Sequence, residues 1–378
     1  MSDAAQPHSE ISSTRDYSLT GASSRQAEEV GLAAAEWYHS DVPRKTMKAM
    51  MKRRDGPALR DTAIWIALHI LFAAGGIYFW GSWIAVPFWL AYGVMYGSAS
   101  DSRWHECGHG TPFRTRWMND VVYHIASFQL IRNPVNWRWS HARHHTDTLI
   151  VGRDPEIAWM HPINLFLKAL AFVGFVDTWA SFKTLARNSL GMLSDDEKIY
   201  IPETEWPKAA FWARVHLALF ALTALAVLLM LANGMGWKSA IPILLIGGPR
   251  VYGCWHMVLT ALLQHGGLPE DVTDHRLNSR TLYMNPISRW IYWNMNYHIE
   301  HHMFPMVPYY ALPALHDEIK HDLPAPNTSI WDGYKEMMGA VMKQRRDPSH
   351  AVRKTLPPTA KPYNEFLHKH VPDRSDAG

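Results

Sequence analysis

Residues 62–100 read TAIWIALHILFAAGGIYFWGSWIAVPFWLAYGVMYGSAS and contain no Asp, Glu, Lys or Arg. As one helix this run would extend about 58 Å at about 1.5 Å per residue. The hydrocarbon core of a bilayer is only about 30 Å thick. The run is therefore too long for one span and suits a hairpin of two. Gly81-Ser82-Trp83 is the natural turn, with Trp80 and Trp83 at the interface. A second charge-free run, Val215 to Trp237, reads as a third span. A fourth covers roughly Ser239 to Leu263, interrupted by Gly247-Gly248-Pro249-Arg250. The expected architecture is all-α and integral to a membrane, with four transmembrane helices in two hairpins.

Charge orients the hairpins. Lys45, Lys48, Lys52, Arg53, Arg54 and Arg60 precede the first span, whereas the turn near residue 82 has no charge and the one near residue 235 only Lys238. Lysine and arginine favour the cytoplasmic side, so the N-terminus, the segment after two spans and the C-terminus are all expected there. Residues 1–25 are polar and rich in Ser and Ala, as in a disordered tail. Residues 26–60 form the basic lead-in, 61–320 the membrane domain, and 321–378 a cytoplasmic C-terminal segment that from about 343 reads as a solvated tail. Residues 162–180 are apolar but carry Lys168 and Asp177, which suits an interfacial helix better than a fifth span.

The 378 residues allow one large domain or two small ones, and a net charge of +3 gives no reason to expect nucleic acid. The two cysteines, Cys107 and Cys254, form no disulfide framework and read as small buried hydrophobes. The first apolar run starts too late and is too long for a cleaved leader, so none is expected.

Eight histidines fall in three clusters: His105 and His109 in HECGH, His141, His144 and His145 in HARHH, and His298, His301 and His302 in HIEHH. Spacings of three and four put each cluster on one helical face. Imidazole suits Fe, Zn, Cu and Ni, and a single ion takes about four to six ligands. If all eight bind metal, there are two ions. Span parity places the three clusters on one side of the membrane. Taken alone, HECGH is also the H-E-x-x-H signature of zinc proteases, with Glu106 as general base. That reading needs one further ligand and leaves HARHH and HIEHH unexplained. Isolated histidines, His124 among them, are expected to be structural.

The order HxxxH, HxxHH, HxxHH with spans between resembles the integral-membrane fatty acid desaturase and hydroxylase superfamily. Supporting segments are HARHHTDT with Asp154-Pro155-Glu156, then Asn278-Ser279-Arg280-Thr281, then Trp293-Asn294-Met295-Asn296-Tyr297 running into HIEHHMFPMVP. The resemblance covers roughly residues 60–315. It implies a non-haem diiron centre that uses O2 and two electrons to desaturate an unactivated C–C bond, with a fatty acyl chain or lipid as first expectation. The alternatives are a hydroxylase, or a desaturase of a small polar or amino-acid-derived molecule.

The resemblance also implies a further ligand upstream of the last cluster; His265 fits best and His256 second. Glu106, Asp154 and Glu300 are expected to accept N–H bonds from ligating rings. No Gly-rich dinucleotide fingerprint and no fused haem segment is present, so electrons are expected from an external ferredoxin, rubredoxin or cytochrome. Arg250 falls inside an apolar run, where a charge is costly, and is expected to line the substrate cavity.

Overall fold

The computed structural model describes residues 15–362. Residues 1–14 and 363–378, the outer parts of the expected tails, lie outside the described residues. Among those described there is no strand, only isolated bridges Thr281–Tyr297 and Leu282–Asn327. The chain begins with α1 (Ala22–Glu29), α2 (Arg44–Met50) and α3 (Asp55–Tyr78). The expected hairpin follows. Gly81 takes φ +85°, Trp83 is almost fully exposed, and the chain returns as α4 (Ala85–Gly97). Gly75 and Gly76 allow close packing, because a Cβ on either would meet the Phe88 or Trp89 ring at 2.2 or 2.6 Å. Beyond Ser98 the chain continues as α5 (Ala99–Gly108), which carries the first histidine cluster.

Helices α6 (Arg116–Gln129) and α7 (Pro134–Thr146) come next; Asn133 caps α7 by accepting from Val135 and Asn136, with Pro134 in its first turn. The expected interfacial stretch is two helices, α8 (Leu165–Ala171) and α9 (Phe175–Ser189), bent by 81° at Gly174. Its apolar residues Phe166, Phe175 and Trp179 are exposed. After α10 (Asp195–Tyr200), α11 (Trp206–Ala232) is a long apolar helix. Two helices, Arg44–Tyr78 and Glu203–Ala232, are long and apolar enough to cross a membrane, or three if α8 and α9 form one broken span.

The fourth expected run is interrupted at Gly247, as its sequence indicates, and again at Gly253-Cys254. Residues 239–263 are not one helix but α12 (Ile241–Leu245), α13 (Gly248–Tyr252) and α14 (Trp255–His265). Pro249 has no N–H for the helical ladder, and Gly247 turns the chain at φ +81°. The breaks let α13 press on α4. A Cβ on Gly253 would lie 1.9 Å from the Gly93 carbonyl oxygen, and Ser98 Oγ stitches the junction, donating to Gly253 O at 2.6 Å and accepting from Met257 N at 2.9 Å. Gly253→Ala is expected to destabilise the protein by at least about 1–3 kcal/mol, since backbone and not a side chain must yield. Thermal unfolding of the detergent-solubilised chain checks this; an unchanged midpoint contradicts it.

The chain closes with α15 (His275–Asn278), α16 (Pro286–Ile291), α17 (His298–Met303), α18 (Leu312–Ile319) and α19 (Ile330–Gln344). Both ends of the described chain are packed where solvated tails were expected. Tyr17 donates to Glu270 at 2.9 Å and Arg15 pairs with it at 2.9 Å. Val352 N donates to Gly267 O at 2.8 Å, and Lys354 pairs with Glu336 at 2.7 Å. Composition marked these segments as polar, but Glu270, the Gly267 carbonyl and Glu336 offer them specific acceptors.

Candidate metal centre

The three clusters meet, and His265 joins them. His105, His109, His141, His145 and His301 form one group, and His144, His265, His298 and His302 a second; within each, one ring nitrogen per residue lies within 4.8 Å of all the others. The clusters do not map one to one onto the groups. On α7, His141 and His145 serve the first group and His144 the second. On α17, His298 and His302 serve the second and His301 the first. Residues four apart differ by only about 40° around a helix, while the intervening ring is offset by about 60–100°. Each helix therefore gives a pair to one group and a single ring to the other. The groups adjoin, with the His145 and His302 rings stacked at 4.4 Å.

Hydrogen bonds on the outer edges orient the rings. His144 Nδ1 faces Asp154 Oδ2 at 2.9 Å, His141 Nδ1 faces Glu156 Oε2 at 3.1 Å, and His265 Nδ1 faces the Asn278 carbonyl at 2.9 Å. His302 Nδ1 lies 3.1 Å from Thr148 Oγ1, whose hydroxyl donates to the His144 carbonyl at 2.7 Å. These acceptors hold the proton on Nδ1 and leave Nε2 a free lone pair. Burial, together with neighbouring rings, holds His105, His109, His145, His298, His301 and His302 well below the ordinary imidazole pKa, so they are neutral at pH 7.

That arrangement tests whether metal fits. His141 Nε2 lies 3.0, 3.2 and 3.1 Å from Nε2 of His105, His109 and His145, and His298 Nε2 lies 3.0 Å from Nε2 of both His265 and His302. One proton cannot serve several facing lone pairs, but a cation relieves them all. Ligands about 2.0–2.1 Å from an ion and at right angles to each other sit about 3 Å apart. The nine residues fit two metal ions.

The expected outer carboxylates divide. Asp154 is placed as expected, and it also accepts from Leu149 N at 2.8 Å and Glu156 N at 2.8 Å. Glu106 Oε1 lies 3.3 Å from His301 Nδ1, while Oε2 accepts from Thr111 Oγ1 and Tyr309 N, each at 3.2 Å. It thus faces the outer edge of a ring and not the space between the Nε2 atoms, where a protease base would be needed. Glu300 departs from expectation: it accepts from Thr281 Oγ1 at 2.5 Å and pairs with His316, not with a ring of either group. On α17 it follows Ile299 on the side away from the groups, so it fixes the helix to α18.

Arg250 also departs from expectation. It is buried, its Nε and Nη1 have no hydrogen-bond partner, and the cavity beside the groups is walled by Arg132 and Asp101 and not by Arg250. His256 contacts Ser288 at 3.1 Å and stands outside both groups; His124 packs on Trp212 at 4.0 Å. Sequence reasoning missed the roles of Glu156, Thr148 and the Asn278 carbonyl. The Asp154-Pro155-Glu156 segment was the available signal, but nothing in its spacing shows that the loop folds back over α7. Asp154→Asn is expected to weaken metal binding by roughly 10–100-fold, the usual cost of losing such a partner. Metal titration by chelator competition measures it, and wild-type affinity contradicts it.

Residues 81–334 match the sequence pattern of the family described as Fatty acid desaturase, which is more than half of the chain. The chain belongs to the fatty acid desaturase family. Among its curated relatives, an acyl-lipid (9+3)-(E)-desaturase from Dimorphotheca sinuata is 23% identical over 291 residues, covering 66% of this chain and 73% of the relative. An sn-1 oleoyl-lipid 12-desaturase from Synechocystis sp. is 24% identical over 281 residues, 66% of this chain and 72% of the relative. An sn-1 acyl-lipid omega-3 desaturase (ferredoxin) from Nostoc sp. is 32% identical, but over 74 residues only, 19% of this chain and 20% of the relative. The desaturase-family match runs from the turn of the first hairpin to the start of α19, so it contains every histidine of both groups.

Proposed function

We propose that the chain is a membrane-bound non-haem diiron oxygenase, with the nine histidines as ligands. The observation that carries this reading is the division of nine rings into two adjoining all-nitrogen groups. When bound, the iron pair supplies O2 activation. The balance for desaturation is O2, two protons, two electrons and –CH2–CH2– giving –CH=CH– and two waters. For hydroxylation one oxygen atom enters a C–H bond and the other leaves as water.

The chain's own residues hold the neutral rings, fix their tautomers through Asp154, Glu156, Thr148 and Asn278, and bury the site. Two one-electron steps from an external carrier complete the balance. The ferredoxin in the names of the Nostoc relative and a chloroplastic Arabidopsis thaliana relative supports a carrier of that class; a rubredoxin or cytochrome serves the same balance. In this reading α3 and α4 form one membrane hairpin and α11 with the broken α12–α14 the other, and both termini and the centre face the cytoplasm beside the basic lead-in.

The relatives' names support an acyl lipid as substrate. A compact polar molecule is the second reading, favoured by an ion pair in the cavity wall. Metal analysis of the purified chain tests the class: two irons per chain are expected, while one zinc and no iron supports the protease reading of HECGH.

A further inference from the structure

A cavity of about 350 Å³ runs along both histidine groups; His105 and His141 of the first and His144, His265 and His298 of the second form part of its wall. One turn of α5 before His105, the same wall holds a charge pair. Arg132 Nη1 donates to Asp101 Oδ1 at 2.7 Å, and each side chain is only 13% exposed. The Arg132 guanidinium packs in the corner between Trp104 and Trp137, 4.5 and 4.4 Å from the centroids of two rings that stand edge to face. A guanidinium has five N–H donors, and the Asp101 contact uses one. The rest of the cavity wall includes Trp159, Met257 and Leu262, and two further carboxylates that already have partners, Glu156 with His141 and Glu270 with Tyr17 and Arg15.

This wall does not suit the middle of an acyl chain. Methylenes pressed against the pair would strip its water and return no hydrogen bond, an unfavourable exchange. A carboxylate returns charge-assisted bonds to a guanidinium already oriented for it. Asp101 stands four residues before His105 on α5, so the pair lies about one helical turn from the first group.

Resting on the oxygenase reading above, we infer that the substrate carries a carboxylate bound by Arg132 within the cavity that both histidine groups line. Two sources share this chemistry: a compact acid, and a long-chain free acid attacked near its head. A compact acid matches a cavity of about 350 Å³.

The test uses the iron-loaded full chain in detergent, with hexanoate as the anion probe in titration calorimetry. Wild type is expected to bind hexanoate, Arg132→Gln at least tenfold more weakly, and Arg132→Lys in between, all with equal iron content. Absence of hexanoate binding to wild type, or equal binding by Arg132→Gln, overturns the inference. The second arm compares extracts of cells expressing wild type or His144→Ala by mass spectrometry. The expected His144-dependent product is a water-soluble carboxylate that has lost two hydrogens or gained one oxygen. A change at mid-chain in a phospholipid acyl group overturns the inference while leaving the oxygenase reading intact; a chain that holds no iron defeats that reading instead.

Discussion

His301→Ala is expected to abolish O2-dependent product formation and to lower metal occupancy, with a loss well beyond the roughly 10–100-fold typical of removing an outer hydrogen-bond partner. His301 is fully buried, and it is the one ring that α17 gives to the first group. Its Nε2 lies 2.7 Å from that of His105 and 3.2 Å from that of His145, while its Nδ1 edge faces Glu106. Removing it deletes a ligand and also unties α17 from α5 and α7. The paired control is His256→Ala. His256 is also buried in the same half of the protein, but its ring contacts Ser288 and neither group. It should keep its metal and its turnover. Metal per chain and product formation are measured on both variants; full turnover in His301→Ala would falsify the shared centre.

The second large effect is on stability. Arg276→Met is expected to destabilise the protein by about 3–5 kcal/mol, because it leaves buried carboxylates without their cation. Arg276 bonds Asp274 Oδ2 at 2.7 Å and Asp322 Oδ1 at 2.9 Å, and its side chain is completely buried. Tyr38 stacks on the guanidinium at 3.5 Å and donates to Asp322 at 2.7 Å, Ser40 donates to Asp322 at 2.5 Å, and Lys361 N does so at 2.9 Å. One arginine therefore joins the lead-in, α15 and the end of the described chain. Next to it in α15 is His275, stacked on Trp37 at 4.3 Å and 5.1 Å from His302, so loosening this knot also disturbs the second group. Chemical or thermal unfolding measures the loss. Adding Asp274→Asn and Asp322→Asn to Arg276→Met should recover part of it, since the stranded charges are then gone; no recovery would place the loss elsewhere.

Much of the site was legible in the sequence because its candidate ligands come as local repeats. Spacings of three and four specify a helical face before any fold is known, and His105, His109, His141, His144, His145, His298, His301 and His302 all fall in the two groups. His265 was legible only through resemblance, as a lone histidine at a helix end. Glu300 and Arg250 were misread for one reason: sequence proximity to a ligand, or to an apolar run, does not say which way a side chain turns. Glu300 points to Thr281 and His316, and Arg250 is buried in α13 outside the cavity wall.

The sequence by itself determined the helical class, the first hairpin with its turn at Gly81, and the set of imidazoles, because hydropathy, glycine and helical spacing act over a few neighbouring residues. Only the tertiary structure decided which ring joins which group, which carboxylates brace them, and that Asp101 and Arg132 line the space beside them. Those depend on contacts between residues tens to hundreds of positions apart, such as His301 with His105 or His302 with Thr148. No local periodicity encodes such meetings; they arise when the apolar faces pack and every buried polar group must find a partner.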